Sequence, residues 1–124
     1  VSWARRCVIR DSGSRDPLWR GPVEAVAQAI RQADAETRVA TAYLELCTPD
    51  LPTAAGQLVA EGVRRVRVLP LFFGMGKHAR EDLPLLMQQL RATHPGVDFE
   101  LLPAAGEDPR LTALLARIAL ESPA

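Results

Sequence analysis

A chain of 124 residues with 15 Lys plus Arg, 15 Asp plus Glu and zero formal net charge is one domain, residues 1–124, able to bury roughly two-thirds of its unfolded surface. Zero net charge excludes a long-range pull toward nucleic acid or anionic lipid, so any basic function must come from a local cluster. Two cysteines, Cys7 and Cys47, exclude a disulfide framework, and neither a run of ~20 apolar residues nor a leader pattern is present; the expectation is a soluble protein of the reducing cytoplasm, with no membrane and no nucleic acid among its partners.

The first strand is expected over residues 7–9. It enters the turn "GSRDP" (13–17) and then a helix with Val23, Val26, Ala27 and Ile30 on one face. A second strand over 39–44 ends in "LELC" and is followed by a helix bearing Leu51, Ala55, Leu58 and Val59. The third strand, 66–72, runs into "FFGMGKHARED". Its helix carries Leu83, Leu86, Met87 and Leu90, with Asp82 as the expected N-cap. The fourth strand, 99–102, precedes a helix capped by Asp108, opened by Pro109 and lined by Leu111, Leu114, Leu115 and Ile118. Gly62 and Gly96 suit reversals after helices, and His94 in "ATHPG" reads as part of a turn.

Strands alternating with helices must run parallel with right-handed crossovers. The expected fold class is therefore α/β: a single doubly wound, parallel four-stranded sheet flanked by helices. Ligands of such sheets bind beyond the carboxyl ends of the strands, where strand order reverses. Ser12, Glu45 and His78 follow the first three strands at equal spacings of 33 residues, which places all three at one rim.

Each rim residue has an ordinary and a chemical reading. Glu45 is either a capping or ion-paired carboxylate, or a metal ligand and proton acceptor. His78 is either a satisfied polar group or a ligand. An imidazole with a carboxylate suits borderline divalent metals such as cobalt or iron, in an open site rather than a closed structural one. Phe72, Phe73 and Met75 either close the top of the core or form a lip that the glycines at 74 and 76 keep mobile. Arg15 pairs either with a ligand carboxylate or with Asp16 or Glu24. No phosphate-loop signature is present, which disfavours a nucleotide-binding flavodoxin-like module.

In combination and order, "GSRDP", "YLELCTPDL", "GVRRVRVLPLFFGMGKHAREDLP" and "HPGVDFELLPAAGEDPRL" resemble the small, single-domain sirohydrochlorin cobaltochelatases of the CbiX type. The likeness covers almost the whole chain. It implies half of the two-lobed class II chelatase fold, paired as a homodimer, inserting cobalt (iron or nickel in relatives) into sirohydrochlorin, an eight-carboxylate tetrapyrrole of cobalamin and siroheme biosynthesis. Cobalt is then substrate, and no organic cofactor is implied. By position, His78 and Glu45 match the family's second histidine and acidic residue, as catalytic groups and metal ligands. The first histidine, of a "GHGSR" pattern, falls on Ser12, because this chain reads "DSGSR". Phe72, Phe73 and Met75 would line the macrocycle, and Arg15, Lys77 and Arg80 would meet its carboxylates. The other outcome is a catalytically impaired homologue that binds tetrapyrrole or metal without turnover, with Arg10 set against Glu45. Arg67 is unexpected in a strand covered on both faces.

Overall fold

The computed structural model describes residues 5–10, 20–43, 50–73 and 77–121. Over these the chain runs β1 (Arg5–Arg10), α1 (Arg20–Ala33), β2 (Val39–Tyr43), α2 (Leu51–Ala60), β3 (Arg65–Pro70), α3 (Lys77–Thr93), β4 (Asp98–Leu101), a 3-10 turn (Ala105–Glu107) and α4 (Pro109–Leu120). The strands form one small parallel sheet in the order β2-β1-β3-β4, so the α/β class expected from the alternation is what the chain adopts. Among the described residues no helix is long and apolar enough to cross a membrane.

The alternation within β3 shows how the sheet is seated. Val66, Val68 and Pro70 are buried, whereas Arg65, Arg67 and Leu69 point the other way and are at least partly accessible. On the buried side α2 contributes Leu51, Ala54, Ala55 and Leu58, and α3 contributes Leu83, Met87 and Leu90. The alanines let α2 approach closely, and α2 and α3 touch each other above the strands. Leu83 and Met87 are almost fully buried, and each such burial contributes about 1.5–3 kcal/mol.

On the other side, Glu24 of α1 accepts a 3.0 Å hydrogen bond from the Thr41 hydroxyl, and Arg31 in the last turn of α1 donates to the Val39 carbonyl at 3.1 Å. Over β3 and β4 this side carries ion pairs instead of a helix stripe: Arg67 Nε to Glu100 Oε2 at 3.2 Å and Arg65 Nε to Asp98 Oδ2 at 3.6 Å. Arg67 is therefore accommodated by a cross-strand partner, and pairs this exposed contribute little to stability. Beside them a cleft of about 720 Å³ opens between Arg67, Leu69, Leu102 and the Leu111 and Leu114 side chains of α4. The apolar stripe of α4 is correspondingly accessible at Leu114, Ile118 and Leu120.

The helix ends follow local chemistry. The Asp50 carboxylate accepts from the Thr53 amide at 2.9 Å and caps α2, a role the sequence reading did not assign. Asp108 accepts from the Arg110 amide at 2.8 Å and caps α4 as expected, and its hydrogen bonds to Arg110 hold its carboxyl down to about 2. Gly62, with φ of 90°, makes the left-handed reversal after α2 that only glycine adopts at no steric cost. Asp82 is a correction. The helix begins at Lys77, so Asp82 lies in its second turn rather than at its cap. An interior Pro84 makes "DLP" look like a helix start, since proline prefers the first turn, while the solvated segment before it carries no apolar period.

Asp50→Ala is expected to lower stability by about 1 kcal/mol at neutral pH. Hydrogen bonds from Thr53 lower the Asp50 pKa below 3.8, so the stabilisation is present above that value and is lost as pH falls through the folded-state value. Urea melts of both proteins should differ at pH 7 and converge on acidification. An equal gap at every pH would contradict the capping role.

Candidate functional site

Parallel sheets present ligand sites at the strand carboxyl ends, here beyond Arg10, Tyr43, Pro70 and Leu101. The chain leaves β1 for β2 on one side and returns to β3 on the other, so the switch in winding falls between β1 and β3. At that edge β3 exits through Leu71, Phe72 and Phe73, and α3 opens a few residues later with Lys77 and His78.

Of the predicted site residues, the structure places His78, Lys77 and Arg80 together on the first turn of α3, with the Lys77 and Arg80 side chains exposed. This turn contains no acidic residue. Cations at a helix N-terminus oppose the macrodipole, so the positive charge of this turn is not explained by the helix dipole. Ser12, Arg15, Glu45 and Met75 lie outside the described residues. Among the described residues no group of three or more His, Cys, Asp or Glu is arranged to hold a metal ion.

The two phenylalanines part company. Phe72 is 4% exposed and belongs to the core with Leu83 and Ala104, whereas Phe73 is 76% exposed. The packing reading therefore applies to Phe72, while among the described residues Phe73 is an exposed aromatic after β3. His94, the only other histidine, follows the far end of α3, with its ring 6.0 Å from that of Phe99. That turn leads into the amino end of β4 and lies away from the rim. Glu24, one of the alternative partners considered for Arg15, is engaged by Thr41.

Sequence reasoning missed the segment that braces this edge. The main chain after β4 runs along β3 and its exit: Leu102 N–H donates to Val68 O at 2.9 Å and Gly106 N–H donates to Phe72 O at 2.8 Å. The available signal was a glycine directly before the "EDP" cap of α4. The cleft beside α4 is lined in part by Leu102, Pro103, Ala104 and Ala105, beyond the carboxyl end of β4, and includes neither Phe73 nor Lys77 nor Arg80.

These features define a small parallel α/β domain whose switch-point edge carries an exposed aromatic ring and a basic helix turn with one histidine. The CbiX family profile matches residues 6–122, and the chain belongs to that family. It is 32% identical over 75 residues to the sirohydrochlorin cobaltochelatase of Methanothermobacter thermautotrophicus, an alignment covering 60% of this chain and 52% of that protein. A second relative, from Methanopyrus kandleri, is 30% identical over 80 residues, 64% of this chain and 56% of its own. The matched stretches thus span about half the length of these relatives. Among solved structures, a putative cobalamin (vitamin B12) biosynthesis CbiX protein from Marinobacter aquaeolei VT8 superposes with a TM-score of 0.77 at 30% identity over 93% of both chains. The sirohydrochlorin chelatase SirB from Bacillus subtilis subspecies spizizenii, in complex with cobalt, shares the fold with a TM-score of 0.74 at 19% identity, covering 94% of this chain and 50% of that one.

Proposed function

We propose that this domain inserts a divalent metal, cobalt in the first instance and iron or nickel by extension, into sirohydrochlorin. The observation that carries the reading is the coincidence, at one sheet edge, of an exposed Phe73 and a basic α3 turn holding His78, in a chain that the CbiX profile matches over residues 6–122. An aromatic face suits the macrocycle, and Lys77 and Arg80, with Arg15, suit its peripheral carboxylates. The relatives are named for cobalt or iron chelation, which supports the choice of metals.

Insertion replaces two pyrrole N–H protons by one M²⁺, so the site must hold the ion loosely and accept two protons. Imidazole, with an ordinary pKa of about 6.5, can do both near neutrality. In this reading His78 binds the metal and takes one proton, and Glu45 shares the metal and takes the other. Ser12 occupies the position that the family resemblance gives to a first histidine, and Arg10 ends β1 close by in sequence. A hydroxyl is a poorer ligand for cobalt than imidazole, so metal capture is the weak step.

The same reading extends to architecture and setting. A doubly wound domain is supported by α2 and α3 sharing one core while α1 bonds to Thr41 and Val39. A homodimer is supported by the chain's matching 50% of the longer SirB chain and by accessible Leu114 and Ile118 on α4, since one domain offers only one wall to a macrocycle. A cytoplasmic location fits the two unpaired-by-pattern cysteines and the absence of a spanning helix among the described residues.

The test is anaerobic cobalt insertion into sirohydrochlorin followed by absorbance. The protein should accelerate insertion above the protein-free rate. Ser12→His should raise the rate by roughly tenfold or more, since even outer-shell groups change metal affinity 10–100-fold. A wild-type rate equal to the protein-free rate, with Ser12→His active, would mark the domain as a tetrapyrrole binder without turnover.

A further inference from the structure

The exit of β3 is held by a contact that only glycine permits. Gly106 N–H donates to Phe72 O at 2.8 Å, and a Cβ placed on residue 106 would overlap the carbonyl oxygen, carbonyl carbon and Cα of Phe73. All three are main-chain atoms. No rotamer change relieves such an overlap, so any other residue must push the Phe72–Phe73 backbone away from the 3-10 turn. The turn is itself fixed: Ala104 before it is fully buried, Glu107 N–H donates to Ala104 O at 2.9 Å, and Asp108 N–H donates to Ala105 O at 3.1 Å where α4 begins. Phe72 anchors its side of the contact in the core, while the Phe73 ring stands 76% exposed.

The geometry points to Gly106 as a positioning residue for the tetrapyrrole: the turn after β4 sets the backbone from which Phe73 emerges and after which the Lys77 and His78 turn begins. The assignment rests on the reading that this edge receives a carboxylated macrocycle. It gives "PAAGEDP" a role at the rim although none of its side chains need touch the ligand. A misplacement of about 1 Å is enough to slow a reaction up to about a hundredfold.

Two readouts test it, neither requiring metal insertion. The protein has three phenylalanines, so 4-fluorophenylalanine labelling gives three assignable ¹⁹F signals, and metal-free sirohydrochlorin is titrated against wild type, Gly106→Ala and a core control at the far end of α3, Leu90→Ala. In Gly106→Ala the Phe72 and Phe73 signals should move while that of Phe99 stays, and the affinity should fall several-fold; folded Leu90→Ala should keep wild-type affinity. Unmoved signals, unchanged affinity, or an equal loss in Leu90→Ala would overturn the assignment. Should Gly106→Ala not fold, amide exchange in the wild type decides: the Gly106 N–H should be protected and slow further on adding sirohydrochlorin, and exchange at the rate of a free amide overturns the contact. Wild type that binds sirohydrochlorin without inserting cobalt defeats the chelatase reading and leaves Gly106 standing. Wild type that inserts cobalt, with Gly106→Ala binding equally well, defeats Gly106 alone, and no binding by wild type defeats both.

Discussion

His78→Ala is expected to reduce cobalt insertion by about a hundredfold or more, the usual loss when a positioned proton acceptor is removed, and the loss of a metal ligand adds to it. The argument is one of place. His78 lies in the first turn of α3, the helix that follows β3, one of the two strands between which the winding switches. The chain has only two histidines, and His94, after the far end of α3 with its ring near Phe99, is the natural control. His94→Ala should leave the insertion rate within about twofold of wild type, since it touches no part of the proposed machinery. Steady-state rates at saturating sirohydrochlorin, with cobalt varied, separate the cases. Equal activity in His78→Ala and wild type would remove the histidine from the mechanism.

Adjacent phenylalanines should give opposite results. Phe72 is buried in the one core cluster, so Phe72→Ala is expected to cost about 3–5 kcal/mol through lost burial and a residual cavity. For a domain whose total stability is on the order of 5–15 kcal/mol, that is a fall in melting temperature of roughly 10–20 °C. Phe73 is exposed, so Phe73→Ala should change stability by no more than about 0.5 kcal/mol while weakening sirohydrochlorin binding several-fold through the lost aromatic wall. Calorimetry and a metal-free titration on both variants check this. A thermally fragile Phe73→Ala, or a Phe72→Ala of unchanged stability, would reverse the division of labour.

The same pair shows how far the sequence is legible. Repeating apolar positions marked all four helices, because Leu83, Met87 and Leu90 on α3, for example, meet one core and must share one face. A β-branched and apolar run marked β3, of which Val66 and Val68 face that core. Pattern could not say where the strand stops: the apolar run continues through Phe72, yet β3 ends at Pro70, and the backbone turn sends Phe72 inward and Phe73 outward. Helix starts were legible where a carboxylate caps an apolar run, as at Asp108, and misleading where a polar first turn precedes an interior proline, as at Asp82 and Pro84.

Long-range partners were the harder part. Arg67 is odd within its strand and ordinary beside Glu100, which meets it across β3 and β4. That pairing depends on register between two strands, a property no single window contains. Gly106 is similar, for its constraint comes from the Phe73 backbone across the sheet edge. At the candidate site, the βα spacing set His78, Lys77 and Arg80 after the third strand, and the structure places them on the first turn of α3. Glu45, Ser12, Arg15 and Met75 lie outside the described residues, so their convergence on that turn is part of the proposal.

Cobalt soaked into crystals and located by anomalous scattering tests that convergence most directly. A single site is predicted with His78 imidazole nitrogen and Glu45 carboxylate oxygen at the distances of about 2.0–2.2 Å usual for such ligands. Cobalt bound at any other place, or His78 and Glu45 facing different sides of the domain, would contradict the account.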